Sequence, residues 1–158
     1  MWDLWRSWDP APGLLPLLRT LFTYTDRTPG RATGWLYLPD REPRTAWPAP
    51  LAETGPRLLA RLEDTTGCVF TACCFQAYLD GTGCGWHHDQ TWGAQAILSL
   101  GVTRTFGLRG PTGDTYLHLG HGDLLFMPAG FQDEWEHCVP AEPIRGERCS
   151  LVFRTATP

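Results

Sequence analysis

From Val69 to the C-terminus, short apolar segments alternate with clusters of Gly, Pro and Asp: VFTACCFQAY, AILSL, TFGL, YLHL, LLFM and CSLVF. Segments this short, bounded by turn formers, read as β-strands. Their repetition at close intervals predicts a sandwich or jelly roll. Residues 1–67 follow another pattern. Gly13 to Phe22 (GLLPLLRTLF) places leucines at helical spacing around Pro16. Thr54 to Asp64 predicts a second helix, with Thr54 as N-cap, Pro56 near the first turn and Gly67 just past the end. Trp35 to Leu38 predicts a strand, and Pro39 to Pro50 is too rich in Pro and charge for either element. The chain therefore reads as mainly β, of α+β class, with N-terminal helices. Residues 1–67 form a cap and residues 68–158 a β core, without internal repeat or low-complexity tract.

Composition narrows this picture. The 158 residues suffice for one domain with a real core and are too few for two ordinary ones. No stretch approaches the roughly 20 apolar residues of a membrane span, and MWDLWR at the start lacks a signal peptide's basic end and apolar run. A cytoplasmic monomer with no membrane contact is expected. The six cysteines form no C-x-x-C pair and read as buried free thiols. All 13 basic residues are Arg, and the net charge is -4. Residues 1–67 hold 8 Arg against 8 acids, and residues 68–158 hold 5 against 9. A tight, unselective nucleic-acid binder would show a basic excess instead.

Candidate chemistry lies in the β core. In GWHHDQ, strand alternation puts His87 and Asp89 on one face and His88 on the other. With 5 His in the chain, H-x-D arises by chance about 0.3 times, so the pair alone is weak. His137, in EWEHCVP, supplies a third ligand. Two histidines and a carboxylate leave open positions on an octahedral ion, the pattern of non-haem iron(II) oxygenases rather than of zinc. The bland alternative is a strand-end histidine bonded to an aspartate. The strand ERCSLVFR adds a second constraint. Arg148 and Arg154 are six residues apart and share a face with Ser150 and Val152, while Cys149, Leu151 and Phe153 form an apolar opposite face. Two buried guanidiniums need an anion, and a dicarboxylate beside the metal satisfies both. The alternative is a pair of protein salt bridges, or exposure on an edge strand.

At this point the chain resembles the AlkB group of iron(II) and 2-oxoglutarate dioxygenases. The resemblance runs from about Pro29 to Arg154 and is carried by AYLDGTGCGWHHD, ILSLGVTRTFGLR, GHGDLLFM, FQDEWEHCVP and ERCSLVFR. GRATGWLYLP and AWPAP are similar to that family's substrate lid. The resemblance implies a double-stranded β-helix (jelly roll) with iron held by His87, Asp89 and His137. It implies that Arg148 pairs with the distal carboxylate of 2-oxoglutarate and that Arg154 lies near the metal-binding end. Tyr78 would donate a hydrogen bond, and Gln76 and Ser150 stand where the family has Asn. Dioxygen and 2-oxoglutarate are consumed, succinate and carbon dioxide leave, and a substrate C–H bond is hydroxylated. A hydroxylated N-methyl group then sheds formaldehyde.

The chain departs from the family at Gln90 and Thr91, where nucleobase-repairing members carry an acid that contacts the base. Thr91, Trp35 and Tyr37 are the candidate substrate contacts, the two aromatics serving either to stack a base or to pack. Trp86 reads as core, Trp135 as a support for the His137 strand, and Trp2, Trp5 and Trp8 as packing. Three functions are expected in order: dealkylation of an N-alkylated base in single-stranded DNA or RNA, hydroxylation of a small molecule such as a natural product or amino-acid derivative, and non-catalytic binding. An open groove lined by Arg27, Arg31, Arg41 or Arg44 would favour the first.

Overall fold

Strand β10 (Glu147–Arg154) lies inside the larger of two sheets, and its two faces show how the layers are built. Cys149, Leu151 and Phe153 enter a core with Leu14 and Leu18 of helix α1 (Leu14–Arg19) and Leu58 and Leu62 of helix α2 (Thr54–Thr66). Val152 enters a second core between the sheets, with Cys74, Ile97, Phe106 and Leu108. The computed structural model describes residues 1–10, 12–22, 29–40, 45–89 and 93–156. The six-stranded sheet runs β1 (Asp3–Trp5), β8 (Leu124–Met127), β5 (Gln95–Gly101), β10, β3 (Ala72–Leu79), β2 (Arg31–Tyr37). The four-stranded sheet runs β4 (Cys84–His87), β9 (Glu136–Val139), β6 (Arg104–Gly110), β7 (Gly113–Leu119). Neighbouring strands are antiparallel throughout, and the result is the expected double-stranded β-helix with helices behind the larger sheet. Among the described residues, no helix is long and apolar enough to cross a membrane.

All six apolar segments after Val69 are strands. The N-terminal region departs further from expectation. Thr54 is helical, not the N-cap; Glu53 holds that position and no side chain caps the end. At the other end Gly67 takes the left-handed conformation (φ 71°) and its N–H reaches the Glu63 carbonyl, as a glycine C-cap should. Helix α1 is shorter than the leucine pattern, stopping at Arg19, and Pro16 sits in its first turn, where a missing N–H breaks no helical bond.

Of the tryptophans at a spacing of three, Trp2 precedes and Trp5 ends a short strand, β1, which pairs with β8 and which the pattern did not reveal. Positions three apart in a strand face opposite ways. Accordingly Trp2 joins the core between the sheets, and Trp5 packs under the helices. Trp8 is buried there and donates its indole N–H to Thr65 of α2 at 3.0 Å.

Two further aromatics bear on the site. Trp86 does not enter the core; half-buried, it meets Tyr116 edge-to-face at 6.3 Å, with the Arg109 guanidinium 4.1 Å from its ring. Trp135 does brace the strand that carries His137. It stacks on Phe131 at 5.2 Å and covers Gly110, where an added Cβ would fall 2.2 Å from the indole. Gly110→Ala is expected to displace that ring at a cost of about 1–3 kcal/mol. The thermal midpoint, read by circular dichroism, should fall by roughly 3–10 °C.

Candidate metal and dicarboxylate site

The register of the larger sheet assembles one wall of the site in rows of cross-strand neighbours. Arg31, Tyr78, Arg148 and Gly101 form one row; Thr33, Gln76, Ser150 and Ser99 the next. Trp35, Cys74, Val152, Ile97 and Leu125 follow, then Ala72, Arg154, Gln95 and Met127. Alternation on β10 thus places Arg148 and Arg154 at opposite ends of one face, with Ser150 and Val152 between them. The smaller sheet closes the pocket with His87, Phe106 and His137.

His87 and His137 are cross-strand partners on β4 and β9, with ring centroids 4.2 Å apart. One ligand atom each from His87, Asp89 and His137 lies within 4.8 Å of the others. Strand geometry places only part of this set, because β4 ends at His87. The Asp89 carboxylate is held by Arg154, whose Nη2 donates to Oδ2 at 2.8 Å. Burial pulls the Asp89 pKa up, but Arg154 and the two histidines outweigh it and keep the carboxyl below its ordinary range. Burial, then the nearby His87, pushes His137 down to about 4, so this imidazole is neutral at pH 7, as a metal ligand must be. The His87 Nδ1 lies 2.8 Å from the Gly85 carbonyl, which can only accept, so Nδ1 carries a proton; the Cys84 thiol and this carbonyl outweigh burial and hold the His87 pKa above its ordinary value. Two imidazoles and a carboxylate in this compact group fit iron(II), with His87 giving up its second proton as the metal binds.

The far end of the pocket fits a carboxylate. Arg148 is 1% exposed, and none of its three guanidinium nitrogens has a hydrogen-bond partner among the described residues. Its guanidinium lies 5.3 Å from the centre of the Tyr78 ring. A buried, uncompensated guanidinium is costly, and its planar fork suits a carboxylate bidentately. Burial raises the Tyr78 pKa, so the phenol keeps its proton; it donates to the Gln76 side-chain oxygen at 2.9 Å. Ser150 is buried beside Gln76. The two arginines differ, since Arg154 has a carboxylate and the Cys74 sulfur as partners.

On the substrate side, Trp35 and Tyr37 part company. A bulge at Leu36 pairs Trp35 with Cys74 but Tyr37 with Cys73, whose side chains face opposite ways. Trp35 is 40% exposed at an opening it shares with Thr33, Cys74, Gln76 and Arg154. Tyr37 instead stacks on Trp47 at 5.1 Å. Thr91, Arg27, Arg41 and Arg44 lie outside the described residues. Arg31 lies with its guanidinium 5.0 Å from the Tyr78 ring centre.

Two buried glutamines were missed by sequence reasoning. Gln95 lines the pocket next to Arg154, and neither polar atom of its amide has a hydrogen-bond partner among the described residues. Its parity with Ile97 and Ser99 was the available signal. Gln132, buried on the single turn α3 (Phe131–Glu134), touches both Asp89 and His137, which no local pattern announces.

Residues 18–154 match the family described as the 2OG-Fe(II) oxygenase superfamily. Curated relatives include the alpha-ketoglutarate-dependent dioxygenase alkB homolog 3 of rat, 36% identical over 119 residues (64% of this chain, 40% of that one). The human protein of that name is 35% identical over 135 residues (74% and 46%). The chain thus spans less than half the length of these relatives. Solved structures of similar fold include a 2OG-Fe(II) oxygenase family oxidoreductase from Burkholderia pseudomallei (TM-score 0.70, 15% identity, 97% of this chain and 84% of that one). A Pseudomonas putida prolyl-4-hydroxylase gives 0.69 at 17% identity (99% and 92%), and OsALKBH1 gives 0.63 at 16% (98% and 97%).

Proposed function

Since the chain belongs to the 2OG-Fe(II) oxygenase superfamily and is AlkB-like, an oxidoreductase using iron(II), 2-oxoglutarate and dioxygen, we propose that it oxidatively dealkylates an N-alkylated nucleobase in single-stranded DNA or RNA. When bound at His87, Asp89 and His137, iron(II) supplies the activation of dioxygen against 2-oxoglutarate that delivers one oxygen atom to a substrate C–H bond. The chain's own residues do the rest. Arg148 takes the distal carboxylate of 2-oxoglutarate in its fork, and Tyr78, Gln76 and Ser150 line that end with hydrogen-bonding groups. The apolar walls, Ile97, Phe106 and Val152, keep water from the reacting end. Arg154 holds Asp89 in place.

The observation that carries the substrate reading is Trp35, an exposed indole at an opening that shares Gln76 with this pocket, on a strand resembling the AlkB lid. A base stacked on it gains about 1–3 kcal/mol whatever its sequence context. With a net charge of -4, few phosphates are contacted and affinity falls only gently with salt.

The test is mass analysis of oligonucleotides carrying 1-methyladenine or 3-methylcytosine after incubation with iron(II), ascorbate and 2-oxoglutarate. Loss of the methyl group, and its slowing in Trp35→Ala, is the expected result. Continued 2-oxoglutarate turnover with every methyl retained would reject the nucleobase reading in favour of a small-molecule hydroxylase.

A further inference from the structure

We infer that Gln132 is a positioning residue whose single amide oxygen fixes the tautomer of His137 and the backbone of Asp89 together. The inference rests on the reading of His87, Asp89 and His137 as the metal ligands. The Gln132 side chain is buried, at 4% exposure. Its Oε1 lies 3.3 Å from the Asp89 backbone nitrogen and 3.2 Å from His137 Nδ1. Its Nε2 faces the Met127 sulfur at 3.6 Å. The Gln132 carbonyl in turn receives His88 Nδ1 at 2.9 Å.

These contacts determine where the protons are. A backbone N–H can only donate, so the amide atom facing Asp89 is the oxygen. The flipped amide would set NH₂ against N–H and leave the oxygen on a thioether, which has nothing to donate. The same oxygen faces His137 Nδ1, so that nitrogen carries the proton and Nε2 presents its lone pair to the pocket. His87 reaches the same tautomer through the Gly85 carbonyl. The two histidines are thus prepared by different acceptors, one a backbone carbonyl and one a side chain open to substitution.

Asp89 needs such an anchor because it lies beyond the end of β4, where no strand bond fixes its peptide. Gln132 holds the backbone, Arg154 the carboxylate, and the carbonyl of the same glutamine steadies His88. One turn of helix thereby ties His88, Asp89 and His137 together.

Gln132→Leu keeps the volume and removes the acceptor; Gln132→Glu keeps an acceptor oxygen. Cobalt(II) titrated anaerobically into each apoprotein is followed by calorimetry, and the imidazole tautomers by nitrogen-15 NMR. The leucine variant is expected to bind cobalt(II) about 10–100-fold more weakly, the range for loss of a partner behind a metal-ligating histidine. The glutamate variant should stay within a few-fold of the parent, and His137 in the apo parent should be protonated at Nδ1. Equal cobalt affinity in parent and leucine variant, or equal weakening in both variants, would overturn the assignment. So would an Nε2-protonated His137 in the parent, a readout that requires no variant to fold. A parent that binds no cobalt(II) at all would instead reject the metal site on which the inference rests.

Discussion

Asp89→Ala is expected to abolish succinate formation with iron(II), ascorbate and 2-oxoglutarate, with the protein still folded. Two effects act in the same direction. The site loses its one carboxylate ligand among the described residues, leaving two imidazoles for a divalent ion. The Arg154 guanidinium, 5% exposed and 2.8 Å from that carboxylate, loses this counter-charge and leaves a buried positive charge beside the incoming divalent ion. Losing a residue behind a ligand already costs 10–100-fold in metal affinity, so losing the ligand itself should cost more than about 100-fold. The fold persists because Asp89 ends no strand and fills no core, and Arg154 keeps its contact with Cys74. His118→Ala, on the outer strand β7, serves as the control and should turn over normally. The measurement is succinate by mass spectrometry alongside iron titration. Near-parental turnover in Asp89→Ala would show that the triad is not the metal centre.

How much of this site the sequence announced depends on whether each constraint is local. The shared face of Arg148 and Arg154 is local: alternation along one strand decides it, and the structure keeps it. The neighbours of that face are not. Tyr78 meets Arg148 only because β3 and β10 pair in one register, which nothing within either segment states. The placement of Asp89 was read from strand parity, yet β4 stops at His87; what holds the aspartate is Arg154 and Gln132, both remote in sequence. Trp35 and Tyr37 carry the pattern of one face, and a bulge at Leu36 with no compositional mark sends them to opposite sides. In the same way, Gln95 and Gln132 are unremarkable polar residues until tertiary packing buries them. The family motifs survived these errors because they record the assembled site rather than the route by which the chain builds it.

Arg148→Met is expected to separate binding from stability, with two opposite signs in one variant. Without 2-oxoglutarate, the parent holds a guanidinium at 1% exposure whose three nitrogens have no hydrogen-bond partner among the described residues. Replacing such a charge with a flexible apolar chain of similar length removes an unmet desolvation cost and forgoes the contact with the Tyr78 ring and a weaker attraction to Glu142. The apoprotein should therefore melt at the parental temperature or above it. Co-substrate binding should move the other way. Two charge-assisted hydrogen bonds to a carboxylate contribute about 1.5–3 kcal/mol each, so their loss raises KM for 2-oxoglutarate by roughly 10²–10⁴-fold. Saturating 2-oxoglutarate at a hundred times its Kd stabilises the parent by about 2.7 kcal/mol and raises its melting temperature; the variant should show no rise. Arg148→Lys should fail to restore the affinity, because a point charge on a flexible stem cannot reproduce the planar fork. Iron affinity should be unaffected in both variants, since Arg154, not Arg148, adjoins Asp89. A variant that melts many degrees lower while keeping its KM would mean that the arginine supports the fold and that the dicarboxylate binds elsewhere.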